Sequence, residues 1–192
     1  MKEQIARFIK DSVKAKSDML VGPHIETIES AARAIADVYK RGGKVVAFGN
    51  GGSASDAQHF VAELVVRFEV NRRALAAIAL TTNTSVMTAV GNDFKFEDVF
   101  KRQVEALVNE GDVVFAISTS GKSPNVVAAI EKAKEKKAVV IGFTGQKGVS
   151  MKEKCDICFL APGDSTARVQ ECHILAIHII CSLLEETLFG KK

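Results

Sequence analysis

KVVAFGNGGSASDAQHF, residues 44–60, runs from an unbroken apolar stretch through a glycine-rich turn into a segment with helical spacing. Strand, tight turn and helix in that order open a parallel α/β sheet, and a turn of this kind commonly receives a phosphate. The rest of the chain repeats the unit. ALAAIAL (74–80), DVVFAIS (112–118), AVVIGFTG (138–145) and DICFLAP (156–162) are short apolar runs that mostly lack clean alternation. Such runs suit strands buried on both faces. Helical segments at 54–68, about 95–109, 123–136 and about 165–188 separate them. Upstream, Ile5, Phe8, Ile9 and Val13 form one helical stripe, and Ile25, Ile28, Ala32, Ile35 and Tyr39 a second that Gly42 and Gly43 end. The pattern predicts a three-layer α/β/α sandwich on a central parallel five-stranded sheet, with an N-terminal helical pair. No linker or repeat divides the 192 residues, so one domain over 1–192 is expected.

Composition narrows the function classes. The chain is 47% apolar and 26% charged with a net charge of +3, and its basic residues are interspersed with acidic ones. That leaves no electrostatic footprint for nucleic acid. The basic run EKAKEKKA (131–138) reads as a solvated helix face. HILAIHIICSLL (173–184) is too short to cross a bilayer, which takes about 20 residues. The N-terminus has no continuous apolar stretch of signal-peptide type, so a cytoplasmic protein is expected. Among the cysteines, Cys155 and Cys158 form a single CxxC, two ligands where structural zinc takes four, and are expected to flank or enter a strand.

In an open parallel sheet, ligands bind beyond the carboxyl ends of the strands, where GNGGSAS, TTNTS, STSGKS, TGQKG and PGDST fall. Two of these segments imitate nucleotide motifs. Gly49 to Ala54 fit G-x-G-x-x-A, but the second strand ends IALTTNTS, without the acid that would hold a ribose. Ala116 to Ser123 fit a relaxed Walker pattern, yet Ala116 and Ile117 belong to the strand, and no strand ends in an aspartate for Mg²⁺. What remains is a short loop dense in hydroxyls (Ser118, Thr119, Ser120 and Ser123) before a helix that starts at Pro124. Such a loop suits one phosphate monoester, and it equally suits a helix start with no ligand. A second serine- and glycine-rich turn at the same sheet edge favours the phosphate.

His59 and Glu63, at i and i+4, share a helix face and could chelate a divalent metal or form a polar surface pair. Gln170 and His178 lie in the last helical segment, about 12 Å apart along a straight helix. One ion reaches both only if side chains extend far or a second subunit contributes one.

Taken together, GNGGSASDAQHFVAELVVRF, TAVGNDF, ISTSGKSPNV and TARVQECHILAIHII resemble the phosphoheptose isomerases, a branch of the sugar-isomerase (SIS) domain family, over essentially the whole chain. The resemblance implies an aldose–ketose isomerase that converts sedoheptulose 7-phosphate to D-glycero-D-manno-heptose 7-phosphate for ADP-heptose and surface glycans such as lipopolysaccharide. It implies a cytoplasmic homotetramer with active sites between subunits, residues 1–41 packing the oligomer, and one zinc per subunit. By motif, His59, Glu63, Gln170 and His178 take metal positions, and Glu63 and His178 those of the general base and acid. Asn50, Gly51, Gly52, Ser53, Glu63, Asn92, Asp93, Ser118, Thr119, Ser120, Ser123 and Gln170 take substrate positions. The chain departs from some members in having Ala167 for an aspartate and Lys122 for an asparagine. A related branch binds the replication initiator DnaA as a non-enzymatic regulator. That branch lacks the glutamate and histidine that this chain has at 63 and 178, and it stands as the alternative reading.

Overall fold

In the computed structural model, which describes residues 1–190, two helices, α1 (Lys2–Asp18) and α2 (His24–Lys40), precede the sheet. Then follow β1 (Val45–Gly49), α3 (Gly52–Val65), β2 (Ala77–Ala79), α4 (Thr84–Asp93) and, after a 3-10 turn at Phe96–Asp98, α5 (Lys101–Leu107). The chain continues through β3 (Val113–Ile117), α6 (Pro124–Glu135), β4 (Val139–Gly145), α7 (Val149–Lys152), β5 (Ile157–Ala161) and α8 (Thr166–Phe189). All five strands pair in parallel, in the order β2-β1-β3-β4-β5.

The unbroken apolar runs have the predicted cause. Every residue of β1 and β3 is buried, and successive side chains enter opposite layers. Val45 and Ala47, with Val113, Phe115 and Ile117, join a core built with α2, α3 and α8. Val46 and Phe48, with Val114 and Ala116, join a second core under α5 and α6. In the first core, aromatic rings cross the sheet from Phe60 to Phe115, Phe143 and Phe159, with centroids 4.6–5.0 Å apart.

Several elements differ from expectation. Residues 84–93 form a helix where only a loop is expected; Asn83 caps it by accepting the Val86 N–H at 3.1 Å. The segment at 95–109 is broken by its 3-10 turn, and β2 keeps only three residues of 74–80. Cys155 precedes β5 and Cys158 lies within it, both free thiols, as expected. The apolar core of α8 extends into a 24-residue helix, long and apolar enough by length and composition to cross a bilayer. Its buried face instead packs against α2, α3 and the sheet.

His173 on α8 is fully buried against Phe143 and Phe159. Its Nε2 lies 3.2 Å from the Thr144 carbonyl oxygen, so Nε2 carries the proton, and Nδ1 is left without a partner. Burial pushes its pKa down to about 4, against the weaker opposing pull of the Thr144 bond. The unfolded chain takes up this proton near pH 6.5 and the folded chain only near 4. Stability is therefore full above pH 6.5 and declines as pH falls toward 4, by roughly 3 kcal/mol. Urea unfolding at pH 7 and pH 4.5 should show a smaller acid loss for His173→Phe than for the wild type; equal losses would remove His173 from the account.

Candidate active site

The strand order reverses between β1 and β3, so the chain leaves these neighbours toward opposite sides of the sheet and opens a crevice at their carboxyl ends. The glycine loop and the serine loop border that crevice. They are tied together by Asn50 and Asn125, whose amides exchange two hydrogen bonds of 2.9 Å. On one side, Gly51 caps α3 with φ at 56°, a conformation that favours glycine. Gly52 follows because Gln170 of α8 lies against it: a β-carbon there would stand 2.3 Å from the Gln170 Nε2. Ser53 is buried beneath the turn.

On the other side, Ser118 and Ser123 share a hydroxyl hydrogen bond of 3.0 Å. The Ser123 side chain does not cap α6, and Pro124 takes the first turn, so the helix start keeps amides for a ligand. The Ser120 hydroxyl accepts the Lys122 N–H at 3.2 Å. Gly121, with φ at 65°, lets this loop cross the one after β4, where an added β-carbon would meet Gly148 at 2.7 Å. A cavity of about 290 Å³ opens beside it, between the β3 and β4 loops and the start of α8. Thr119, Ser120, Lys122, Lys147 and Ser165 line it, with Asp164 as its one carboxylate. Hydroxyls and two ammonium groups in one concavity suit a phosphate.

The titratable cluster lies where α3 meets α8. His59 Nε2 is 3.0 Å from Glu63 Oε1 and 3.2 Å from His178 Nε2. Gln170 lines a shallow recess with Ser55, Asp56, His59 and Ile174. His59 thus contacts His178 and lines the same recess as Gln170 within one chain, although those two are two turns apart on α8. Donor atoms on a tetrahedral zinc, bonded at about 2.0 Å, lie about 3.3 Å apart. Both His59 separations come close to that, and two imidazoles, a carboxylate and an amide are chemically suitable donors. As they stand in the single chain, no three His, Cys, Asp or Glu side chains among the described residues are already gathered as a metal site. Asn92 and Asp93 end α4, exposed and hydrogen-bonded to each other at 2.8 Å; among the described residues neither bonds to either loop.

Four residues emerge only in three dimensions. Asp56, one turn before His59, has a buried Oδ2 without a partner, and burial raises its pKa to about 6 against the opposing pull of His59. Its i−3 spacing from His59 is a signal the sequence does carry. Asn125 has no such signal, nor has Lys147. Phe68, after the end of α3, stacks on the His178 ring with centroids 5.5 Å apart and planes 28° apart.

Comparison with known proteins agrees with this fold. Residues 8–145 match the SIS domain. The chain is similar to the phosphoheptose isomerase of Clostridium acetobutylicum, 49% identical over 100% of this chain and 98% of the relative. It is 50% identical to that of Citrifermentans bemidjiense, over 95% of this chain and 97% of the relative. Among solved structures it is similar to the phosphoheptose isomerase of Neisseria gonorrhoeae, with a TM-score of 0.91 and 41% identity over 96% of this chain and 98% of that one. With about half of its residues identical over nearly the whole length and a TM-score of 0.91, the chain belongs to the SIS domain family and, within it, to the phosphoheptose isomerases.

Proposed function

We propose that this chain is an aldose–ketose isomerase that interconverts sedoheptulose 7-phosphate and D-glycero-D-manno-heptose 7-phosphate. The observation that carries the reading is the convergence of Glu63, His59 and His178 beside a crevice bordered by two phosphate-suited loops. A seven-carbon sugar phosphate needs anchoring at one end and proton transfer at the other. The serine loop, with Thr119, Ser120 and Lys122, takes the phosphate, and the amides at Gly51 and Gly52 with Asn50 hold the sugar hydroxyls. Asn92 and Asp93 belong to the substrate set if a neighbouring subunit or substrate closure brings them in.

In the ketose, Glu63 removes a proton from C1, the electron pair moves toward the C2 carbonyl, and an enediol(ate) forms. Returning that proton to C2 gives the aldose, while His178 passes a proton between the oxygens on C1 and C2. The balance is one proton moved on carbon and one on oxygen, with no external redox partner. His59, Glu63, Gln170 and His178 would hold a zinc ion, which when bound polarises the carbonyl and steadies negative charge on oxygen. Binding at the remote phosphate supplies energy that positions the reacting carbons. Glu63 and His178 are also the two residues absent from the DnaA-binding branch, so the regulator reading gains no support here.

The same proposal covers assembly and setting. Ile5, Phe8, Ile9 and Val13 on α1 are each more than half exposed in the single chain, an apolar stripe that suits packing of residues 1–41 between subunits of a tetramer. The whole chain then acts as one SIS domain in the cytoplasm, where its four free cysteines stay reduced. Its product feeds ADP-heptose for surface glycans.

Incubation with sedoheptulose 7-phosphate in D₂O, followed by NMR, should show aldose formation and deuterium exchange at C1 and C2. Glu63→Gln should lower turnover by about 10²–10⁴-fold. No turnover by the wild type, or full turnover by this variant, overturns the mechanism. Elemental analysis should find about one zinc per chain, and His59→Ala should lose it. Ile9→Asp should shift the assembly to smaller species in light scattering.

A further inference from the structure

The proposed base and acid are steadied from behind by one buried carboxylate. Glu185 lies two turns beyond His178 on α8 and is 3% exposed. Its Oε1 accepts the Phe68 N–H at 3.0 Å and the Arg72 Nε–H at 2.9 Å. Its Oε2 accepts the N–H groups of Glu69 and Val70 at 2.9 and 2.8 Å. Three consecutive amides and a guanidinium therefore close on a single side chain, and they fix the path of the loop that leaves α3.

Two arms run from this clasp to the titratable cluster. Arg72, its side chain 2% exposed, donates through Nη2 to the Glu63 carbonyl at 2.7 Å and through Nη1 to the Leu64 carbonyl at 2.9 Å. These are among the last carbonyls of α3, which have no partner within the helix. The second arm is Phe68, whose ring lies on His178. One carboxylate thus holds the backbone of the helix that bears Glu63 and sets the ring that limits His178. Burial alone would raise the Glu185 carboxyl, but the amide and guanidinium hydrogen bonds outweigh it and hold the pKa below the ordinary glutamate value.

We infer that Glu185 is a positioning residue for the isomerisation, acting through Arg72 on Glu63 and through Phe68 on His178. The inference rests on the isomerase reading. It places the effect on turnover and leaves substrate affinity, which the loops at the crevice govern, nearly unchanged.

Steady-state kinetics with sedoheptulose 7-phosphate on the intact protein tests it, with folding followed by circular dichroism and thermal melting. Phe68→Leu leaves the clasp intact and should lower kcat by about 10-fold, with KM changed less than about 2-fold. Phe68→Tyr keeps the stacked ring and should recover most of that loss. Glu185→Gln weakens both arms and should cost kcat about 10–100-fold. If that variant does not fold, the Phe68 pair decides. A kcat for Phe68→Leu within about 2-fold of the wild type, or equal losses in the Leu and Tyr variants, overturns the inference while leaving the isomerase reading intact. Absence of turnover in the wild type overturns both.

Discussion

The close approach of α8 to the start of α3 is the contact on which the candidate site depends. There the Gln170 amide rests against Gly52, its Nε2 2.3 Å from where a β-carbon would stand. A β-carbon there would displace the Gln170 amide from the turn. His59 and Glu63 belong to α3, whereas Gln170 and His178 belong to α8, so their meeting is a property of the packing and of neither helix alone. The ridge of α8 that faces α3 also faces the sheet, and its burial among the phenylalanine rings holds it in place. The glycine turn therefore has two physical duties: it presents amides to the crevice and leaves room for the Gln170 amide.

How much of this could be read from the residues follows the range of the interactions. β1, β3 and β4 are legible because strands buried on both faces lose their alternation, a local signature, and β5, a partly buried edge strand, because ICFLA is apolar throughout. β2 is less so, since most of ALAAIAL is loop leading to an edge strand and its exposed positions dilute the pattern. α4 escapes because TSVMTAVGND has threonines and few buried positions, although Asn83 at its start is a readable cap. Strand order carries no local mark, so the crevice between β1 and β3 becomes visible only when the sheet is assembled. The His59–Glu63 pair is written in its spacing. The His59–His178 contact spans 119 residues and depends wholly on helix packing.

The electrostatics of the site run against stability, as functional sites often do. Among the described residues three buried side-chain polar atoms lack partners, and two of them, Asp56 Oδ2 and Arg168 Nε, belong to residues at the site or beside the cavity's helix. Asp56 faces His59 from the same helix at a spacing that should favour pairing, yet burial dominates and its carboxyl protonates near 6. A core optimised only for folding would place an apolar residue there. Keeping a half-buried acid beside a histidine makes chemical sense where protons are to be moved.

α8 gives these separate demands a common frame. At 1.5 Å per residue, about 18 Å of helix separates Thr166, at the cavity, from His178. The end at the cavity, the amide of Gln170, the imidazole of His178 and the carboxylate of Glu185 thus follow one another along a single rigid element. Its burial against the sheet fixes all four together. A loop could present the same side chains, but each would carry its own motion. A helix registers them against one another, so a displacement large enough to misplace His178 must also disturb Gln170 against Gly52 and Glu185 against its three amides. The precision of the site is in this sense inherited from the hydrophobic core beneath it, the part of the fold most plainly written in the sequence.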